Sequence, residues 1–312
     1  MEYRPLGDSG IAVSEICLGS WLTYGGAVER ERAVACIDAA FEAEINFIDT
    51  ANVYSGGRAE EFLGEVLASR PRESYVLATK VYAEMPDGGK GLSREQILKQ
   101  IDASLARLRT DYVDLYQAHS YDDEAPLEET LGAFTEVVQA GKARFIGVSN
   151  WSGAQIQAAV DLCREHGFAK PVSSQPEYSL LHRDPEADVI PVSAANGITQ
   201  IVWSPLAQGV LTGKYKPGES FGAGTRAEAR GDTFMSQYLD DATLERVQRL
   251  RPIADGLGIT MAELALAWVL HQPNLTSVIV GASRPEQVVD NAGASGIVLD
   301  ESTLTAIDEA LA

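Results

Sequence analysis

The chain has 312 residues, of which 45% are hydrophobic and 22% charged, and this is the composition of an ordinary globular protein with a large core. Its 25 Lys and Arg against 45 Asp and Glu give a formal net charge of −20. Binding to nucleic acid or to anionic membranes needs a basic surface, so the composition argues against both functions.

The amino terminus, "MEYRPLGDSG", carries an early acid and a proline and lacks the apolar stretch of a signal peptide. No apolar run reaches the ~20 residues that span a bilayer. We therefore expect a cytoplasmic protein. Cys17, Cys36 and Cys163 lie in apolar segments without a CxxC spacing, and we expect buried thiols rather than a disulfide or a metal site.

Residues 2–15 contain a turn signal, from Gly7 to Gly10, between two short extended runs. This predicts a β-hairpin ahead of the main fold, placed to close its bottom.

Short β-branched runs then alternate with longer amphipathic segments through most of the chain. Ser93, with Gln96 three residues later, is a capping signal that predicts the start of one helix. The predicted strands, eight in all, lie within residues 15–20, 46–50, 75–81, 112–120, 143–150, 171–178, 199–206 and 277–283.

Eight apolar strands separated by helices indicate a closed parallel (β/α)8 barrel, because each strand must be covered by a helix outside and by packed side chains inside. The alternative is an open doubly wound sheet. That fold usually carries GxGxxG after its first strand, and the motif does not occur in this sequence. The barrel is the favoured prediction.

In such a barrel the active site lies at the carboxyl ends of the strands. The second, third and fourth predicted strands end at Asp49, Lys80 and His119. Adjacent strands lie about 4.8 Å apart, so the carboxylate and the ammonium are expected within reach of each other. Tyr54 follows Asp49 by five residues, and a short loop would fold it back over the same rim. Singly, each residue also suits an ordinary structural role.

Together, these four groups predict proton donation to a carbonyl oxygen. A phenol has a pKa near 10, and a lysine cation held close by Asp49 is expected to lower the pKa of Tyr54 and make it a better acid. A histidine would orient the substrate oxygen. No nucleophile is apparent at the strand ends, since "GVSNWSG" lacks the GxSxG elbow, and the sequence has no HExxH and no other metal-ligand spacing. Hydride from a nicotinamide is therefore the expected partner reaction.

Later strand ends suit that cofactor. Ser149, Asn150 and Gln175 carry hydroxyl and amide groups that pair with a carboxamide, and the Trp203 indole would stack on a nicotinamide ring. A role in the core is the alternative for Trp203.

Two segments predict phosphate binding. The long loop from Gly213 to Asp232 has no apolar periodicity and carries four basic residues in an acidic chain, which favours a phosphate-facing loop over a merely solvated one. Ser283 and Arg284 precede Pro285 at a predicted helix start, and such a start is an anion site. The basic residues of the loop are Lys214, Lys216, Arg226 and Arg230.

Five segments, in this order and with these gaps, resemble the aldo-keto reductases. They read "DTANVYSGGRAEEFLG", "LATK", "GVSNW", "WSPLAQGVLTGKY" and "VGASRPEQVVDN". The resemblance extends over nearly the whole chain and is nearest to the branch of potassium-channel β subunits and their bacterial relatives. It implies a single barrel domain over residues 1–312 that binds NADPH without a Rossmann domain and reduces small-molecule aldehydes or ketones to alcohols.

The resemblance also implies roles for individual positions. The family's catalytic tetrad falls on Asp49, Tyr54, Lys80 and His119. Its substrate-binding residues fall on Trp21, Tyr24, Tyr54 and His119. Its cofactor-binding residues fall on Ser20, Trp21, Asp49, Ser149, Asn150, Gln175, Trp203, Ser204, Pro205, Leu206, Gly209, Leu211, Lys214, Arg226, Gly281, Ser283, Arg284, Gln287 and Asn291.

Two departures bear on function. Channel β subunits typically carry asparagine at the position of His119, so histidine here favours an enzyme over a channel partner. Asp290 stands where relatives often carry glutamate, which shortens the reach to adenine and leaves the preference for NADPH over NADH open. The alternatives to the reductase are an NADPH-binding redox-sensing subunit with weak catalysis, and a hydrolase or aldolase that uses Lys80 as a Schiff base. A monomer and a homo-oligomer are equally open.

Overall fold

A computed structural model of the chain describes residues 1–26, 28–86, 88–219 and 235–312. Two short antiparallel strands come first, β1 (Tyr3–Pro5) and β2 (Ala12–Ser14). The turn between them is closed by a backbone hydrogen bond of 2.8 Å from Leu6 N to Ile11 O. The predicted hairpin is confirmed.

Eight parallel strands then form a closed barrel in chain order, and the last pairs with the first to complete the ring. The prediction of a (β/α)8 barrel is confirmed, and the open doubly wound sheet is wrong. The barrel strands are β3 (Ile16–Gly19), β4 (Phe47–Asp49), β5 (Val76–Val81), β6 (Val113–Ala118), β7 (Ala143–Ser149), β8 (Ser173–Gln175), β9 (Thr199–Val202) and β10 (Leu275–Val280).

Helices surround the barrel and cover its strands. The helix predicted from Ser93 begins at Arg94, and the Ser93 hydroxyl accepts a hydrogen bond from Gln96 N. In the described residues the helices are α1 (Arg30–Glu42), α2 (Arg58–Leu67), α3 (Arg94–Leu108), α4 (Leu127–Gln139), α5 (Gly153–His166), α6 (Val189–Ala195), α7 (Asp241–Gln248), α8 (Arg251–Leu257), α9 (Met261–His271), α10 (Pro285–Ala292) and α11 (Glu301–Leu311).

The lower interior of the barrel is filled with apolar side chains, and the hairpin closes that end. Leu6 and Val13 are fully buried there, which confirms the expected place of the hairpin. All three cysteines are buried free thiols, as predicted. The interior cluster consists of Leu6, Val13, Cys17, Phe47, Val76, Ala78, Leu115, Val172 and Ile201.

A helix that spans a bilayer needs about 20 mostly apolar residues. No single helix in the described part of the chain is long and apolar enough to cross a bilayer. The adjoining segments Asp241–Leu257 and Met261–His271 reach that length and composition only together, and the pair is bent by 90°. Met261–His271 is a core helix here, with its residues from Leu264 to Leu270 buried.

Candidate active site

A buried ion pair lies at the carboxyl ends of β4 and β5. Asp49 ends β4, and Lys80 is the penultimate residue of β5, so the pairing of the two strands brings the side chains together. Both are almost completely buried. Lys80 Nζ donates to Asp49 Oδ1 and, at 2.8 Å, to the Thr50 carbonyl oxygen. The predicted pair is confirmed.

The charge state of Lys80 follows from these contacts. Burial favours the neutral amine and lowers its pKa, but Asp49 and the Tyr54 hydroxyl together outweigh burial, so the net pKa is raised. Lys80 is therefore a fixed cation. Schiff-base chemistry needs a neutral amine, so this environment disfavours the aldolase alternative.

Tyr54 reaches the same point from a different element. It begins a short 3₁₀ turn, Tyr54–Gly57, whose next residue Ser55 has a left-handed φ of 52°. The Ser55 hydroxyl donates to the Tyr24 carbonyl oxygen at 3.1 Å, which anchors the turn. The Tyr54 hydroxyl lies 3.2 Å from Lys80 Nζ. The sharp turn is thus what folds the tyrosine back over the rim, as predicted.

The expected acidity of Tyr54 needs a correction. Lys80 does lower the pKa of the phenol, but burial raises it by more and Asp49 also raises it, so the net pKa is above 10. Lowering was predicted because the sequence shows the neighbouring charge but not the depth of burial. The consequence is a tyrosine that stays protonated through neutral pH and so remains a proton donor.

His119 follows the last residue of β6, and its ring meets the Tyr54 ring edge to face, with 5.6 Å between centroids. Burial, and secondarily Lys80, lowers the pKa of the imidazole to about 3. It is therefore neutral at physiological pH. Its Nδ1 is buried and has no hydrogen-bond partner among the described residues. A neutral ring beside Tyr54 suits a substrate oxygen.

The residues predicted for the nicotinamide end also converge here. Ser149 donates to the Gln175 carbonyl oxygen at 2.8 Å, and Trp203 Nε1 donates to Asn150 Oδ1 at 3.0 Å. Asn150 Nδ2 in turn donates to the His119 carbonyl oxygen at 3.2 Å. These contacts tie the predicted carboxamide site directly to the tetrad.

The turn after β9 contains four residues with left-handed backbone conformations. Ser204, Ala207, Gln208 and Gly209 all have positive φ, and Ala207 N and Gly209 N donate within the turn to the Ser204 and Leu206 carbonyl oxygens, at 2.8 and 2.9 Å. A methyl group at Gly209 would lie 3.4 Å from Lys214 Nζ, so the lysine folds over this turn. Lys214 is therefore the basic group that this turn offers to the predicted pyrophosphate contact. The other predicted residues of this turn are Pro205 and Leu206, and Leu211, which is fully buried.

The second segment predicted to bind phosphate follows β10 and begins α10. Ser283 donates to Gln287 Oε1 through its backbone N and its hydroxyl, at 2.8 and 3.1 Å, which fixes the start of α10. Arg284 is exposed at that start and has no ion pair within the described residues. Gly281 is exposed and Asn291 is buried nearby in the chain. Since the two Ser283 donors are used by Gln287, Arg284 is the group at this helix start that is left for the predicted phosphate. Arg226 and Arg230 lie outside the described residues.

The two predicted substrate-binding residues after β3 differ in how exposed they are. Trp21 is half-buried, but Tyr24 is fully buried and packs on Phe62, with 5.3 Å between ring centroids. Tyr24 therefore has no surface open to a substrate, and its assignment to the mouth is corrected. It belongs to the core because the turn that follows β3 carries the ring inward. Ser20 is buried and donates to the Thr50 hydroxyl at 2.8 Å.

One polar residue of the site was missed. Gln117 on β6 is fully buried, and its Nε2 lies 3.3 Å from Asp49 Oδ2. Strand alternation gives the signal that could have found it, because residue 117 shares the inward face with Leu115 and with His119.

Comparisons with known proteins agree with this geometry. The family model "Aldo/keto reductase family" matches residues 15–312. A probable voltage-gated potassium channel subunit beta from Oryza sativa subsp. japonica and one from Arabidopsis thaliana are each 38% identical over 302 residues, covering 96% of this chain and 92% of the relative. A putative subunit beta from Schizosaccharomyces pombe is 38% identical over 322 residues, covering all of this chain and 93% of its own.

Proposed function

The chain belongs to the aldo/keto reductase family, and from this premise we propose that it is an NADPH-dependent oxidoreductase that reduces aldehydes or ketones to alcohols. The observation that carries the proposal is the position of the Tyr54 hydroxyl, 3.2 Å from the Lys80 cation and beside the neutral His119 ring. A proton donor, a fixed positive charge and a hydrogen-bonding ring meet at one point of the rim.

Each residue has a definite task in this proposal. The carbonyl oxygen of the substrate accepts hydrogen bonds from Tyr54 and His119, and the Tyr54 proton moves to that oxygen as the alcohol forms. NADPH, when bound, supplies the hydride to the carbonyl carbon. Lys80 stabilises the phenolate left behind, and Asp49 holds Lys80 in place. Solvent returns the proton to Tyr54 after turnover.

The preference for NADPH rests on the two anion sites. Lys214, folded over the turn from Ser204 to Gly209, suits the pyrophosphate, and Arg284 at the start of α10 suits the extra phosphate of NADPH. In a chain with a net charge of −20, basic residues at both places argue for a ligand rather than for general solubility.

Replacement of Tyr54 by Phe tests the mechanism. Turnover on a panel of aldehydes and ketones, followed as loss of nicotinamide absorbance, should fall by about 10² to 10⁴, the usual effect of a positioned acid. Cofactor affinity should not change. The matched control is Tyr116→Phe, which removes a buried hydroxyl that donates to the Ile97 carbonyl oxygen at 3.2 Å. Equal turnover in the Tyr54 variant and the wild type would overturn the mechanism.

The printed names of the relatives support a second candidate, an NADPH-binding redox-sensing subunit with weak catalysis. It predicts tight cofactor binding without turnover on any carbonyl of the panel. His119 favours the enzyme, since a neutral imidazole next to Tyr54 serves a substrate oxygen. Turnover in the wild type that is abolished by Tyr54→Phe would exclude the subunit as the main function.

A further inference from the structure

Two buried glutamines connect the tetrad with the carboxamide site. Gln117 on β6 and Gln175 at the end of β8 are 0% and 2% exposed. Gln175 Nε2 donates to Asp49 Oδ2 at 3.0 Å and to Gln117 Oε1 at 3.1 Å. Gln117 Nε2 donates to Asp49 Oδ2 at 3.3 Å. The three side chains form a closed triangle of hydrogen bonds inside the barrel.

The orientation of both amides follows from Asp49. An ionised carboxylate only accepts hydrogen bonds, so each glutamine must present its NH₂ group to Asp49 Oδ2. Gln117 then has its carbonyl oxygen free to accept the second hydrogen of Gln175. Both hydrogens of the Gln175 amide are thereby used within the protein, and only its Oε1 is left for a ligand.

From this count we propose that Gln117 is a positioning residue that makes Gln175 a pure hydrogen-bond acceptor toward the cofactor. The proposal rests on the proposed nicotinamide function. A hydrogen-bond acceptor at this point binds the NH₂ of a carboxamide. It cannot form a hydrogen bond with a ligand group that only accepts. The site therefore selects a dinucleotide with a carboxamide over one with a bare carbonyl at the same position.

The matched control for Gln117 is another buried glutamine of the barrel. Gln200 on β9 is 0% exposed, and neither atom of its amide has a partner among the described residues. It precedes Ile201, a residue of the interior cluster, so alternation places Gln200 on the outer face of the strand. Gln200→Met makes the same chemical change at the same burial, away from the triangle.

The test compares two ligands and needs no turnover. NADP⁺ and its 3-acetylpyridine analogue, which replaces the carboxamide NH₂ by a methyl group, are titrated by quenching of tryptophan fluorescence. In the wild type and in Gln200→Met, the analogue should bind about tenfold more weakly, since one hydrogen bond is lost. In Gln117→Met, the released N–H of Gln175 can turn to the acetyl oxygen, and the ratio should fall to about two or three.

Gln117→Glu provides a second variant with the original shape. At pH 6 its carboxyl, protonated beside Asp49, donates to Asp49 and keeps an oxygen that accepts from Gln175, so the ratio should stay near tenfold. A wild-type ratio near one, or equal ratios in Gln117→Met and Gln200→Met, would overturn the proposal. Failure of the wild type to bind either dinucleotide would instead overturn the proposed function on which it rests.

Discussion

The barrel carries a buried acid with a basic partner near each end, and the two acids differ in what else they contact. Asp114, near the amino end of β6, accepts from Arg72 at 2.6 Å, from Leu77 N at 3.0 Å and from Arg144 at 3.1 Å. None of these donors is a residue of the candidate active site. The Asp114 cluster therefore locks strands and their connections together.

The pair at the carboxyl end has the opposite arrangement. Lys80 makes two of its hydrogen bonds to Asp49 and Thr50, and its third to the titratable hydroxyl of Tyr54, a residue of the rim. Asp49 in turn receives the two glutamine amides. The Asp114 cluster therefore contributes to stability, whereas the Asp49–Lys80 cluster ends on a hydroxyl that the proposed mechanism uses as the proton donor.

The largest expected difference between the ends comes from Lys80→Met. Because the variant removes the cation that stabilises the phenolate of Tyr54, turnover should fall by about 10² to 10⁴ in a carbonyl reduction assay. It also leaves Asp49 buried without its cation and should lower stability. The double variant Asp49→Asn with Lys80→Met removes both charges and should recover most of that stability without recovering turnover. Recovery of turnover in the double variant would contradict the proposed role of Lys80.

Removal of the buried charge at the amino end of the barrel should lower stability and leave turnover unchanged. Asp114→Asn takes the charge away from Arg72 and Arg144 and should cost about 3 kcal/mol of unfolding free energy, measured with urea, because Arg72 remains largely buried without its anion. Turnover per folded molecule should be unchanged.

The comparison for Asp114 is an exposed ion pair. Glu136→Gln removes the partner of Arg94 on the surface and should leave the urea midpoint within experimental error. A drop in turnover in Asp114→Asn would mean that the amino end contributes to catalysis, which would break the distinction drawn between the two ends.

A smaller effect is expected from His119, in the pH dependence of the free energy of unfolding. His119 has a folded-state pKa lowered to about 3, below the value near 6.5 expected in the unfolded chain. The unfolded state therefore binds more protons between these values, and stability should decrease as pH falls below about 6.5. From pH 7 to pH 5 the loss assigned to this ring is about 1 to 2 kcal/mol.

The variant His119→Asn isolates that contribution, because an amide does not titrate. Urea unfolding at pH 7 and at pH 5 should show a smaller difference between the two pH values than in the wild type. His166→Asn on α5 is the control, since this ring is partly exposed and stacks on Phe168 at the surface. An undiminished pH effect in His119→Asn would show that the ring is not held neutral in the folded protein.

Much of the barrel and its rim could be predicted from the sequence because strand ends are local features. The apolar runs ended within a residue or two of Asp49, Lys80 and His119, and parallel strands bring such ends to one side. Tyr54 was also found, since a gap of five residues after a strand leaves room for a turn. The pattern that identifies a strand therefore also identifies the residues that it delivers to the rim.

What could not be predicted depends on distances through space. The net pKa of Tyr54 is decided by how deeply the group is buried, and the sequence shows only the neighbouring Lys80. Tyr24 lies after a strand like the other site residues, yet its ring turns inward against Phe62. Gln117 was assigned no function, because its contacts with Asp49 and Gln175 join residues 68 and 58 positions apart.

The smallest expected effect concerns Arg284, the residue proposed to bind the extra phosphate of NADPH. Here an arginine without an ion pair is compared with the paired Arg72. Arg284 has no ion pair among the described residues, in contrast to Arg72, so its charge is available to a ligand at the start of α10. Arg284→Met should raise the dissociation constant for NADPH about five- to tenfold and leave that for NADH unchanged, since NADH lacks the extra phosphate. Arg164→Met on α5 is the control for the loss of one exposed positive charge. Equal weakening for both dinucleotides would place Arg284 at a phosphate that they share, and the preference for NADPH would then have to come from another contact.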